Sequence, residues 1–234
     1  MSRSAQFGED GFLVVPDLLP LRECGLLAAE LSAHFEQQQR KDPKVRGGLR
    51  NVLRLSPLAA ALAVSENLVS FVSGLIGGNA FPVRAIFFDK TNGANWGVPW
   101  HQDLAIAVAK QIETEGFGPW SVKEGTVHVQ PPPEILANLV TVRLHLDDCA
   151  ADNGALRILS GSHAHGVLSD EAISHWIKTW PPATCAVRKG DALVMRPLLL
   201  HASSPAKNPS HRRVLHVEYA ATELPNGLTW LERA

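Results

Sequence analysis

A mainly β domain, a sandwich or barrel with α-helices against one face, is the fold class that this sequence predicts. Three observations carry that reading. Residues 1–80 show apolar stripes at helical spacing, residues 81–234 change to short β-rich runs, and Gly, Pro, Asn and Asp punctuate those runs. Helices first and many short strands after is the order expected of helices laid on one side of an antiparallel sheet. A chain of 234 residues suits a single domain with a sizeable core.

The elements follow in order. Phe12 to Val15 reads as a short strand. Pro20 then opens a helix, since its missing N–H costs nothing in a first turn, and Cys24, Leu27, Leu31 and Phe35 form its apolar stripe. Ser56 and Pro57 signal a second helix that runs through Leu62, Leu68 and Val72 and stops near Gly77 and Gly78. Five strands are expected at Val83–Phe88, Leu139–Leu146, Ala155–Leu159, Ala192–Met195 and Arg213–Ala220. The 104–138 segment has little periodicity and carries Trp120, Lys123, Gln130 and a run of three prolines. It is expected as an irregular, lid-like insertion whose alternative is a variable surface loop.

Composition narrows the function classes. The formal net charge of -1 gives no basic stripe for nucleic acid and no polybasic cluster for a membrane surface. Met1 to Asp10 lacks the apolar run of a signal peptide, and no stretch has the length of a membrane span. The 3 cysteines, Cys24, Cys149 and Cys185, are scattered and lack CxxC spacing, which fits free thiols in a reducing cytosol. The expected partner is therefore a small molecule, with a cytoplasmic location and a monomeric or weakly dimeric state.

The chemistry centres on Trp100-His101-Gln102-Asp103. On extended backbone, side chains two apart point the same way, so His101 and Asp103 can reach one metal ion. Alone, H-x-D is a weak signal that a structural histidine explains as well. A third donor appears at His201, which ends the apolar run Leu198-Leu199-Leu200. Two imidazoles and one carboxylate make a facial triad that suits Fe(II) and leaves three positions open for a co-substrate and dioxygen. Beyond His201 come Arg212 and Arg213, either of which could clamp the far carboxylate of a dicarboxylic acid with paired hydrogen bonds. Strand alternation favours Arg212. It shares parity with Val214, His216 and Glu218, whereas Arg213 shares parity with Leu215, Val217 and Tyr219, a face suited to packing under helices.

Alternation also puts Thr141, Arg143 and His145 on one polar face, near the metal if that face lines the barrel. Arg143 would then bind a substrate carboxylate or phosphate, making the substrate a small anion, or pair internally with an acid such as Glu218. His145, Trp120 and Gln130 are further substrate contacts to test. His163 and His165 read as loop histidines because no carboxylate accompanies them.

In this order, the motifs resemble the phytanoyl-CoA hydroxylase (dioxygenase) family of Fe(II)/2-oxoglutarate oxygenases. The resemblance rests on Gly11-Phe12-Leu13-Val14-Val15-Pro16, the His101-Gln102-Asp103 motif, Leu146-Asp147-Asp148, Asn153-Gly154-Ala155-Leu156, Ser160-Gly161-Ser162-His163, and Lys189-Gly190-Asp191-Ala192 followed by His201. It covers most of the chain. Two departures are Ser160, where the family has proline, and the His128-Val129-Gln130-Pro131-Pro132 segment, which fits no general pattern. The resemblance implies a double-stranded β-helix (jelly-roll, cupin-like) core over 81–234, supported by a helical 1–80. It implies iron at His101, Asp103 and His201, 2-oxoglutarate at Arg212 with Gln102 and Ser203, dioxygen as oxidant, and succinate and CO2 as co-products. Retention of Asp103 sets halogenation aside. Two other readings stay open: a cupin-type metalloenzyme that does not use 2-oxoglutarate, and a jelly-roll binding protein without catalysis.

Overall fold

The computed structural model describes residues 2–42, 48–91, 95–207 and 211–233. The N-terminal support is α1 (Arg3–Asp10), β1 (Phe12–Val15), α2 (Leu21–Lys41), α3 (Val52–Leu55), α4 (Pro57–Ala63) and α5 (Glu66–Ile76). The strand-rich part follows with β2 (Phe81–Lys90), β3 (Val98–His101), β4 (Ile106–Val108), β5 (Trp120–Lys123), β6 (Thr126–Val129), α6 (Pro133–Ala137), β7 (Val140–His145) and β8 (Leu156–Ile158). The chain closes with α7 (Asp170–Thr179), β9 (Ala183–Cys185), β10 (Ala192–Met195), β11 (His201–Ser203) and β12 (Arg212–Ala220).

The helix expected from Pro57 to Gly77 is two. Ser56 caps α4 by accepting from the Ala59 amide, but the chain turns extended at Ser65 and the two helices meet at a 46° bend. Helix α1 lay below the reach of periodicity, because it is eight residues long and buries only Phe7. No single helix is long and apolar enough to cross a membrane among the described residues.

A five-stranded antiparallel sheet, in the order β1-β10-β7-β12-β2, carries the helices on one face. Alternation sorts its side chains. Leu13, Val15, Ala85, Phe87, Val142, Leu144, Ala192, Val194, Leu215, Val217 and Tyr219 join Phe7, Leu27, Leu31, Leu68 and Val72 in the main core. The opposite face looks into the sandwich. A four-stranded sheet, β3-β11-β8-β9, closes over it, and Leu156, Ile158, Leu193, Met195 and Leu199 fill the dry end between the two. Two packed antiparallel sheets with helices outside one of them make the expected jelly roll, with β1 from the N-terminal part as an edge strand.

The 104–138 segment is not an irregular loop. It folds into a third sheet, β4-β6-β5, followed by α6, and packs with Leu224, Leu228 and Trp230 of the C-terminal tail into its own core. The runs are three and four residues long, too short for periodicity to register, and only antiparallel pairing makes them strands.

Candidate metal centre and its cavity

Strand β3 ends at His101, and β11 begins at His201 as its direct partner in the ladder. Asp103 follows β3, and its amide is fixed by donating to the Pro197 carbonyl. His101 Nε2 lies 3.6 Å from one Asp103 carboxylate oxygen, and His201 Nε2 lies 3.7 Å from the other. One donor atom from each of the three falls within 4.8 Å of the others, the one such grouping among the described residues. Each imidazole donates its Nδ1–H to a backbone carbonyl two residues earlier, His101 to Pro99 and His201 to Leu199, both at 2.8 Å. Those bonds fix the tautomer and aim both Nε2 lone pairs at the shared point. Burial pushes His201 down to about 4, so it is neutral and ready to coordinate near pH 7. Burial would raise the Asp103 carboxyl, but His201 and His101 outweigh it and hold the carboxyl well below the usual range. The donor set therefore fits a divalent first-row metal.

A cavity of about 470 Å³ opens beside the triad. Its floor is the inner face of the five-stranded sheet. Along β2, residues Arg84, Ile86, Phe88 and Lys90 all face it, and along β12 so do Arg212, His216 and Glu218. Arg212 pairs with Lys90 across the ladder. It is 4% exposed and donates to the Gly154 carbonyl, while its Nε is buried without a partner. Lys90 is 2% exposed and donates to Ser203 Oγ at 3.2 Å. Burial, then Arg212 and Arg143, push Lys90 down to about 8. Gly154 adopts a positive φ of 68°, and a Cβ there would stand 3.3 Å from the Arg212 guanidinium and 3.5 Å from the Lys90 ammonium. A buried cationic pair with an orphaned N–H and glycine-cleared space is a fit for a carboxylate.

Arg213 faces away and forms a two-pronged ion pair with Asp147, 2.7 Å on each prong. Gln102 lines the cavity, but its side chain is engaged elsewhere. Its amide donates to the Gly166 and Leu198 carbonyls and its oxygen accepts from the Leu168 amide, so it clamps the β3 region rather than presenting a free group to a co-substrate. Arg143 lines the cavity, yet it does not pair with Glu218 directly; it reaches that acid through His216. His145 is buried on the same face of β7 as Arg143 but is not part of the lining. Trp120 packs into the third sheet's core, and Gln130 serves that sheet through its backbone, bonded to Gly118 and Pro119; neither lines the cavity. The insertion's contribution comes instead from Leu104, Ala105, Lys123 and His128. Lys90 and Arg84 escaped the sequence reading, although their shared parity with Ile86 and Phe88 on β2 was a usable signal.

The profile of the phytanoyl-CoA dioxygenase (PhyH) family matches residues 7–214 of the chain. Among curated proteins, the chain is similar to the ectoine dioxygenase of Stutzerimonas stutzeri (strain A1501), with 24% identity over 176 residues, 69% of this chain and 50% of that protein. The chain thus spans half the length of that relative. It is also similar to the L-proline trans-4-hydroxylase of Streptomyces griseoviridis, with 24% identity over 257 residues, 94% of this chain and 85% of that protein. Among solved structures, EctD from S. alaskensis with 2-oxoglutarate and 5-hydroxyectoine shares the fold, with a TM-score of 0.72 at 17% identity over 94% of this chain and 76% of that one.

Proposed function

Since the chain belongs to the phytanoyl-CoA dioxygenase family, we propose that it is an Fe(II)- and 2-oxoglutarate-dependent dioxygenase that oxidises an unactivated C–H bond of a small metabolite. The overall reaction consumes one dioxygen and one 2-oxoglutarate and gives the hydroxylated product, succinate and CO2. The observation that carries the reading is the pairing of two features in one cavity. The His101–Asp103–His201 grouping stands on one sheet, and a buried, incompletely satisfied Arg212–Lys90 pair stands on the other.

Iron with 2-oxoglutarate supplies the oxidising power when bound, because decarboxylation of the oxo acid drives dioxygen activation. The protein's part is placement. His101, Asp103 and His201 would hold the ion, and the Pro99 and Leu199 carbonyls keep the two rings from turning. Arg212, with Lys90 and Ser203 beside it, receives the far carboxylate of the co-substrate. Ile86, Phe88, Val98 and Leu104 give the same cavity apolar walls that keep water from the reacting carbon. The three cysteines are free and buried, which supports a reducing, cytoplasmic setting.

The test is anaerobic titration of Fe(II) and 2-oxoglutarate into the protein, followed by the visible charge-transfer band of the chelate. The band is expected in the wild type and absent in His201→Ala. Iron binding with no band on adding 2-oxoglutarate would favour a cupin-type enzyme with another co-substrate, and absence of iron binding would favour a binding protein.

A further inference from the structure

A chain of hydrogen-bonded side chains crosses the cavity floor from β7 to β6. Arg143 on β7 donates a terminal N–H to His216 Nδ1 on β12 at 2.8 Å. With Nδ1 accepting, His216 carries its proton on Nε2 and donates it to Glu218 Oε1 at 3.2 Å. The same oxygen accepts from Arg84 on β2 at 3.1 Å. The other terminal nitrogen of Arg84 donates to His128 Nε2 on β6 at 3.2 Å, and His128 donates Nδ1–H to the Thr126 carbonyl at 3.0 Å. All five side chains line the cavity.

The charges do not balance. Both imidazoles are neutral, each depressed first by burial, and His128 is pushed down to about 4. Two guanidiniums therefore share one carboxylate, which leaves the network one positive charge in excess. The excess sits at Arg143. Glu218 contacts Arg84 and His216, and among the described residues no carboxylate lies within ion-pair distance of Arg143. Its Nε is buried without a partner, and its guanidinium packs 5.5 Å from the Phe88 ring. Of the charged groups that act on it, Arg212 and Lys90 have the same sign, the Asp103 carboxylate is committed to the metal grouping, and the far carboxylate of 2-oxoglutarate is already directed to the Arg212–Lys90 pair. A buried cation in that position is costly unless an anion completes it.

We propose that Arg143, positioned by His216, Glu218, Arg84 and His128, is the seat for one anionic group, a carboxylate or phosphate, of the primary substrate. The proposal rests on the oxygenase reading above for what counts as primary substrate. It gives a role to the His128–Pro132 segment that fits no general family pattern: the insertion delivers His128 to the cavity, and His128 fixes the end of the network. Arg143 is the contacting group; His128 is a positioning residue that acts through Arg84.

The test is anaerobic calorimetry on the full chain, with Fe(II), with and without 2-oxoglutarate. The probes are cyclopentanecarboxylate and its neutral amide, a pair alike in shape and different in charge. The acid is expected to bind one to one and at least about tenfold more tightly than the amide. Arg143→Gln should abolish that preference and leave the 2-oxoglutarate dissociation constant within about threefold of wild type, while Arg212→Gln should do the reverse. Arg143→Lys, which keeps the charge with fewer donors, should retain part of the preference and stands in if the glutamine variant does not fold. His128→Leu should weaken the acid about three- to tenfold, and His128→Gln, which restores an acceptor for Arg84, should recover it. Equal binding of acid and amide, or no binding of either, overturns the proposal. So does a tenfold loss of 2-oxoglutarate in Arg143→Gln, which would assign Arg143 to the co-substrate. A wild type that forms no chelate band would sink the oxygenase reading, while the acid–amide comparison run without 2-oxoglutarate would still decide this one.

Discussion

The two sheets that enclose the cavity solve opposite problems. The small sheet carries His101 and His201 on strands of four and three residues with Asp103 just beyond β3, and while His201 is buried, the His101 and Asp103 side chains are 36% and 39% exposed. The large sheet has strands of up to ten residues, is covered by helices on its far face, and carries Lys90 and Arg212 almost fully buried. Metal donors need aim more than burial, and aim is available locally: each imidazole is tied to a carbonyl two residues away. Buried cations need a stiff, pre-paired floor, and that takes three neighbouring strands and a helical layer behind them. The aim of each metal-binding ring here is a short-range property, and the pairing of the buried cations a long-range one.

The largest effect should come from the small sheet. His201→Ala or Asp103→Ala should reduce Fe(II) affinity by about a hundredfold or more, read by anaerobic metal titration, with little change in melting temperature of the metal-free protein. A large drop in metal-free stability would break the comparison, because the donors would then be structural.

Next comes the large sheet's helix face. Leu144→Ala should cost about 2–5 kcal/mol in denaturant unfolding, because Leu144 is fully buried in the main core. Iron affinity of the folded fraction should be unchanged. On the opposite face of the same sheet, Arg212→Gln should weaken 2-oxoglutarate about ten- to a hundredfold while leaving iron binding intact, read as the midpoint of the chelate-band titration. If iron and 2-oxoglutarate affinity fall together, the division between the sheets is wrong.

The smallest effect sharpens the choice between adjacent arginines. Arg213→Ala should leave 2-oxoglutarate affinity unchanged and lower stability by about 1 kcal/mol near pH 7, since its Asp147 pair is only partly buried. Burial would raise the Asp147 carboxyl, but the Arg213 hydrogen bonds outweigh it and lower its pKa. A depressed folded pKa gives stability that is present above the unfolded pKa, near 3.8, and lost as pH falls through the folded one. The wild-type advantage over Arg213→Ala should therefore shrink as pH falls below about 4. An advantage that persists at lower pH would show that Asp147 is not its source.

How much of this was legible follows from the range of each signal. Period-two alternation and short motif spacing are local, so the sequence by itself determined the helical support and the strands β1, β2, β7, β8, β10 and β12, but not β3, β9 and β11, which are only three or four residues long. It also brought forward His101, Asp103 and His201, and set Arg212 apart from Arg213 on opposite faces of β12. The break between α4 and α5 and the third sheet escaped it, because each depends on packing over stretches too short for a period to show. Gln102 was assigned by analogy with a motif, and its three backbone partners come from segments 64 to 96 residues away. Only the tertiary structure decided that Lys90 stands across from Arg212, that β6 carries His128 to Arg84, and that one glutamate serves two arginines. Strand order in an antiparallel sandwich is set by which faces bury together, a property of the whole core. The side chains that meet across that order have no spacing in the sequence to announce them.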